Sequence, residues 1–215
     1  MNKKIKAIIF DLGGVLLLTK AESHVESHLH RHLGVHGFIA KNLKISLDQY
    51  FDSIDTTYAK SIEGKLSEKK VLEILSKNLN VSKKKILKIY SKAYNRIFKK
   101  NSILFQKAKE LKKLGYKTAI LSDQWHLSKK VLISSNLLSD FDVKIISCDV
   151  KMRKPNPKIY SLVLRKLKLK PSEVIFIDNQ KWNIKPAKQI NMKTILFKNN
   201  NQLFKNKIWK NLFKK

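Results

Sequence analysis

Three short apolar runs in this sequence end on groups that can do chemistry. Ile8-Ile9-Phe10 runs into Asp11, Ala119-Ile120-Leu121 into Ser122-Asp123, and Ile175-Phe176-Ile177 into Asp178-Asn179. A further candidate, Lys154, lies in Lys151-Met152-Arg153-Lys154-Pro155-Asn156-Pro157-Lys158-Ile159-Tyr160. Pro155 and Pro157 stiffen that loop, so it can present a cation at low entropic cost. A lone Asp after a strand is usually a turn or helix-cap residue. Three polar termini in series with a placed lysine are equipment for acting on a bound ligand. In open parallel sheets, ligands bind outside the carboxyl ends of the strands, where the strand order reverses.

Such convergence requires parallel strands, and the sequence supplies candidates. Residues 5–10, 116–121, 143–147, 174–177 and 194–197 are apolar runs too short for helices and rich in β-branched residues, so they read as buried parallel strands. Helical patterns over 102–114, 127–138, 157–169 and 182–190 alternate with the later four, and Gly115 is a stop signal. The expected fold class is α/β, a doubly wound parallel Rossmann-like sheet. The long stretch between the first two strands shows helical periodicity only, in pieces 21–33, 46–62, 67–79 and 82–99. Gly64 and Asn80-Val81-Ser82 break it, and Ser67 and Ser82 are N-cap candidates. The expected division is a core of 1–19 and 101–215 with an inserted α-helical cap of 20–100. The tail, 202–215, places Phe204, Ile208 and Leu212 on one face and is expected to pack on the core rather than on a membrane surface.

Composition bounds the partners. With 215 residues the chain can form one core with a large insertion. A formal net charge of +30 invites a nucleic-acid reading. Yet 42 of the 46 basic residues are Lys, and Arg is the residue that supplies a bidentate fork to guanine or phosphate. The lysines are spread through every segment, so a nucleic-acid partner is allowed by the charge but not favoured. Lys3-Lys4-Ile5-Lys6 before an apolar run superficially resembles a signal peptide, but Asp11 interrupts the run and it reads as a strand. No apolar stretch has the roughly 18 residues of a membrane span. One cysteine, Cys148, excludes an internal disulfide, and the expected location is the cytoplasm.

Asp11-Leu12-Gly13-Gly14-Val15-Leu16, Leu121-Ser122-Asp123, the Lys154 loop, and Phe176-Ile177-Asp178-Asn179 with Asn183 and Ala187 resemble, in order, the four motifs of the haloacid dehalogenase superfamily. Within it, the likeness is to the subgroup of α-glucose-1-phosphate phosphatase and the soluble epoxide hydrolase N-terminal phosphatase domain, including the cap phrase Glu63-Gly64-Lys65-Leu66-Ser67. The resemblance implies a phosphatase acting on a small phosphate ester, a sugar phosphate or nucleotide. It makes Asp11 the nucleophile that forms an aspartyl-phosphate, with Ser122 and the Asp123 N–H on the phosphate oxygens. Lys154 would offset charge on nucleophile and phosphoryl group together. It also implies Mg2+, held by Asp11, the Gly13 carbonyl, Asp178 and Asn179.

Two positions depart from the family pattern. Most phosphatases of the superfamily carry a general acid-base Asp two residues after the nucleophile, where this chain has Gly13. Its loss is worth about 10²–10⁴-fold and should slow alkoxide leaving groups most. The paired Asp-Asp of the fourth motif is Asp178-Asn179 here, which removes one formal charge from the metal site and predicts weaker magnesium binding. The departures keep two alternatives in view. One is a catalytically weak or dead scaffold binding RNA or another polyanion through its lysines. The other is a metal-independent haloacid dehalogenase, which Trp182 resembles but Asp178 and Asn183 do not. His24, His28 and His32 fall on one helical face, a candidate metal-binding or substrate-facing surface of the cap.

Overall fold

The structure is a computed structural model that describes residues 5–19, 28–134 and 136–214, with side chains in the second stretch from residue 34 onward. The chain opens with β1 (Ala7–Phe10) and β2 (Leu17–Thr19), then runs through four helices, α1 (His28–Leu43), α2 (Leu47–Ile62), α3 (Glu68–Asn78) and α4 (Lys83–Ile97). It returns by β3 (Phe98–Lys100), α5 (Ser102–Lys113), β4 (Lys117–Ser122), α6 (His126–Leu132), β5 (Val143–Ile146) and α7 (Ser147–Val150). The remainder is α8 (Pro157–Leu167), β6 (Val174–Asp178), α9 (Lys181–Gln189), β7 (Lys193–Leu196) and the short helices α10 (Asn200–Lys205) and α11 (Lys207–Lys210).

The expected α/β architecture is present as a five-stranded parallel sheet in the order β5-β4-β1-β6-β7. Every residue of β1 and β6 is buried, as strands covered on both faces must be. Alternation along β1 sends Ile8 and Phe10 into one apolar layer with α5 and the tail, and Ala7 and Ile9 into another with α8 and α9. The chain passes from β1 to β4 and β5 on one side, then crosses to β6 and β7 on the other. The order therefore reverses at β1. Phe10 is in register with both Ile120 and Ile177, which brings the carboxyl ends of the three central strands level.

The helices α1 to α4 build a separate apolar cluster around Ile39, Tyr50, Leu75 and Tyr90. Ser46, Ser67 and Ser82 each accept a backbone N–H at the start of α2, α3 and α4, so the two N-caps expected at Ser67 and Ser82 are in place. Several boundaries differ from expectation. The helix read over 82–99 ends at Ile97, because Phe98–Lys100 pairs antiparallel with β2 as a ribbon where the chain leaves and re-enters the sheet layer. The strand read over 143–147 stops at Ile146, and the helix read over 127–138 stops at Leu132. Of the helix read over 21–33, residues 21–27 lie outside the described residues, while α1 extends to Leu43. The tail packs on the sheet layer, but as two short helices divided at Asn206, whose side chain caps α11. Leu203, Trp209 and Leu212 become its buried face.

Gly64 fixes how this helical unit sits on the sheet. Its φ of +63° belongs to the left-handed region, and a Cβ there would lie 2.3 Å from the Cys148 carbonyl oxygen. The left-handed backbone alone costs an alanine about 1–2 kcal/mol. Gly64→Ala is therefore expected to lower the melting temperature by at least about 2–4 °C, since 1 kcal/mol is worth that much in a domain of this size. A thermal melt of the variant matching the parent would show that the contact is not tight.

Candidate active site

The register of the sheet places the polar termini around one crevice. Asp11 is the first residue past β1, and its N–H donates to the Ile177 carbonyl of β6 at 2.9 Å. The following turn closes through Leu17 N–H to the Leu12 carbonyl at 2.7 Å, and Gly14 takes a φ of +82° in it. Ser122 ends β4 and Asp123 follows it. The Asp123 carboxylate accepts the backbone N–H of Lys154 at 3.0 Å, which draws the proline-stiffened loop over the strand ends.

Lys154 is almost fully buried, with Nζ 2.9 Å from Asp11 Oδ1 and 2.7 Å from Asp178 Oδ2. Burial opposes its charge, but Asp11, Asp178 and Asp123 outweigh that cost and hold it protonated well above the ordinary lysine range. Burial pushes the Asp11 carboxyl up to about 7, opposed by Lys154 and reinforced by the negative charge of Asp178. The two partners respond unequally because Lys154 draws on three carboxylates, whereas Asp11 has one cation and like-charged neighbours. Burial also raises Asp123, again against Lys154.

Asp11, Gly13, Ser122, Asp123, Lys154 and Asn179 line a cavity of about 180 Å³. Asp178 stands behind this floor. Its Oδ1 accepts the Gln180 N–H at 2.7 Å, its Oδ2 takes the Lys154 ammonium, and Asn183 Nδ2 reaches both oxygens at 3.2 and 3.1 Å. The roof comes from the helical unit and from the segment after β4: Ile62, Tyr58, Tyr94, Trp125 and Leu132, with Trp182 half-exposed at the mouth. Trp125 packs on Tyr58 and Tyr90 at 5.1 and 5.5 Å between ring centroids, and its Nε1–H donates to Tyr94 Oη at 2.8 Å. Behind it, Tyr50 Oη bonds Tyr90 Oη at 2.7 Å and His36 Nδ1 at 3.1 Å.

The chemistry of the oxygen donors fits a hard cation. Asn179 Oδ1 and Asn183 Oδ1 are both buried, both residues line the cavity, and neither oxygen has a hydrogen-bond partner. Beside the Asp11 carboxylate they offer oxygen ligands of the kind magnesium and its waters take. The set is poor in charge: among the described residues no group of three or more His, Cys, Asp or Glu could hold a metal ion. The expected histidine face falls outside this account, since His24 and the side chains of His28 and His32 lie outside the described residues.

Gln124 and Trp125 had no place in the sequence reading. Both follow the polar end of β4 and carry no periodic signal. The one clue was the missing side chain at position 13, beside which Gln124 sits.

Comparison with known proteins adds three findings. The family described as haloacid dehalogenase-like hydrolase matches residues 5–191. Bifunctional epoxide hydrolase 2 of Rattus norvegicus is 42% identical over 101 residues, covering 45% of this chain and 18% of that protein, and its Mus musculus counterpart is 33% identical over 73% of this chain and 27% of its own length. The chain thus spans a minor part of these longer relatives. A HAD family enzyme of Bacteroides thetaiotaomicron, solved in complex with magnesium and inorganic phosphate, superposes with a TM-score of 0.74 at 20% identity, covering 98% of this chain and 100% of the other.

Proposed function

The chain belongs to the haloacid dehalogenase-like hydrolase family, and from that premise we propose that it is a Mg2+-dependent phosphatase of a small phosphorylated metabolite, a sugar phosphate or nucleotide. The observation that carries the reading is Lys154, buried between Asp11 and Asp178 on the floor of a cavity with Ser122 beside it. An ammonium held there meets both the nucleophile's charge and that of an incoming phosphoryl group. Residues 1–19 and 101–215 act as the core, and 20–100 as the cap that shapes the leaving-group side of the cavity.

Asp11 attacks phosphorus in this scheme, and the aspartyl-phosphate is then released by water. The Ser122 hydroxyl and the Asp123 N–H hold phosphoryl oxygens, and Lys154 stabilises the charge that spreads over them. The Asp11 carboxylate, the Gly13 carbonyl and Asn179 Oδ1 would hold magnesium, which when bound neutralises phosphate charge. Asp178 was expected as a ligand as well. It would complete that set, and its oxygens, which also meet Lys154, Gln180 and Asn183, tie the metal side of the site to the lysine. Support for the metal comes from the magnesium and phosphate bound by the Bacteroides thetaiotaomicron enzyme. No helix among the described residues is long and apolar enough to cross a membrane. The one cysteine, Cys148, is buried as a free thiol, and we assign the protein to the cytoplasm.

The test is hydrolysis of an aryl phosphate with magnesium and with EDTA. Turnover is expected only with the metal. Calorimetry should give a magnesium Kd weaker than micromolar, because one amide replaces a carboxylate. Since Asp11 must shed its proton to bind, affinity should fall up to about tenfold per pH unit below 7. Turnover unaffected by EDTA would exclude the metal, and micromolar affinity would refute the weakened site. No turnover of any phosphate, with salt-sensitive RNA binding, would favour the scaffold reading instead.

A further inference from the structure

Gly13 is not glycine for the sake of its backbone. Its φ is not left-handed, unlike those of Gly14, Gly64 and Gly115. A Cβ built on it meets nothing closer than Gln124 Nε2 at 4.0 Å, an ordinary contact. The side chain that faces that point across the cavity is the Gln124 amide. Gln124 is buried and clamped: its backbone N–H donates to Ser147 Oγ at 3.0 Å, its carbonyl accepts from the same hydroxyl at 3.2 Å, and its side-chain Nε2 donates to Ser122 Oγ at 3.1 Å. Ser122 thereby keeps its own proton to give to a bound oxyanion.

We propose that Gln124 occupies the place of the absent acid-base side chain as a positioning residue that cannot transfer a proton, and that the substrates are therefore phosphoryl compounds whose leaving group departs as a stable anion. Acyl phosphates, phosphoanhydrides and aryl or enol phosphates belong to that class, and alkyl phosphates do not. The inference rests on the phosphatase reading above and narrows it, favouring a nucleotide's phosphoanhydride over a sugar's alkyl ester. An amide near neutral pH donates and accepts hydrogen bonds but does not titrate. It can orient Ser122 and an oxygen above Asp11 while contributing nothing to their protonation. The Asp11 carboxylate forms its bond to phosphorus as the bond from phosphorus to the leaving oxygen breaks, and the electron pair leaves with that oxygen, which departs as the anion and takes a proton from bulk water only where its pKa lies above the pH. A water then adds to phosphorus, the bond to Asp11 breaks with the pair returning to the carboxylate, the water's proton passes to solvent, and inorganic phosphate is released. The other carboxyl group on the cavity floor, Asp123, is tied to the Lys154 N–H.

The experiment compares kcat/KM on aryl phosphates of graded phenol acidity, acetyl phosphate and an alkyl phosphate. The proteins are wild type, Gln124→Met, Gly13→Asp and the double variant Gly13→Asp/Gln124→Ala, each checked by thermal melting. Wild type should show a steep dependence on leaving-group pKa, with alkyl phosphates lagging aryl ones by about 10²–10⁴-fold, the range of the acid assistance it lacks. Gln124→Met should lower kcat at an unchanged slope, because Ser122 loses its orienting donor. Gly13→Asp alone should keep the steep slope, whatever its absolute rate, because the amide holds the space. The double variant should flatten the slope and raise alkyl turnover at least tenfold over Gly13→Asp. A shallow slope in wild type, a slope flattened by Gly13→Asp alone, or unaltered kinetics in Gln124→Met would each overturn the proposal while leaving the phosphatase reading intact. Absence of any turnover in wild type takes both down.

Discussion

Asp11→Asn is expected to lower kcat for every phosphoryl substrate by on the order of 10⁴–10⁶-fold, the scale on which removal of a covalent nucleophile acts, and to melt above the parent protein. The isosteric amide keeps the cavity floor filled but has no electron pair basic enough to attack phosphorus. The stability change follows from burial, which pushes the Asp11 carboxyl up to about 7 from its ordinary 3.8. Between those values the folded protein binds a proton that the unfolded chain does not, so this group's contribution to stability falls as pH rises through that window and its full penalty is present above 7. Asparagine carries no such penalty. The variant's gain in melting temperature should therefore be larger at pH 8 than at pH 5 in metal-free buffer. Residual activity near the parent's would remove Asp11 from the nucleophile role, and equal gains at both pH values would show that its charge is not strained.

Lys154→Met should lose turnover and stability together. The ammonium lies 2.9 Å from one buried carboxylate and 2.7 Å from another, and removing it leaves Asp11 and Asp178 as like charges with no cation between them. Breaking a buried pair by deleting one partner costs about 3–5 kcal/mol, roughly a 10 °C fall in melting temperature at 2–4 °C per kcal/mol. The loss should shrink as pH falls, because protonation of the orphaned Asp11 carboxyl relieves the repulsion. Lys154→Arg should not restore activity, since a planar fork cannot stand in for a compact ammonium reaching two carboxylates from behind. Urea titrations of both variants at two pH values decide the matter. A methionine variant as stable as the parent would mean that the pair's desolvation cost cancels its attraction.

The parts of this protein that read most clearly from sequence are those where burial leaves a simple pattern. The strands β1, β4 and β6 are continuous apolar runs because both faces are covered, and each ends where the crevice admits polar groups. Asp11, Ser122 and Asp178 were visible for that reason, and the proline-stiffened loop marked Lys154. The ribbon of β2 and β3 was not legible. Its strands are three residues each, and Lys99 and Lys100 continue the lysine-rich pattern of α4. The true extent of α1 was hidden too: Gly34 and Gly37 lie within it, each lowering helix propensity by about 1 kcal/mol relative to alanine. Nor could the sequence tell the surroundings of Asp178 from those of Asn179. Only their partners separate an oxygen pair held by Lys154, Gln180 and Asn183 from a buried amide oxygen left without one.

Trp125 follows the polar end of β4, three residues past Ser122, yet its ring is anchored among Tyr58, Tyr90 and Tyr94 of the inserted helices. The ribbon of β2 and β3 pairs the exit and re-entry of the chain, so a different insertion can be grafted there without moving the strand ends. Any graft must still bring a socket for one indole and an acceptor for its N–H. A chimera built without the socket would expose Trp125 directly beside the polar floor of the cavity.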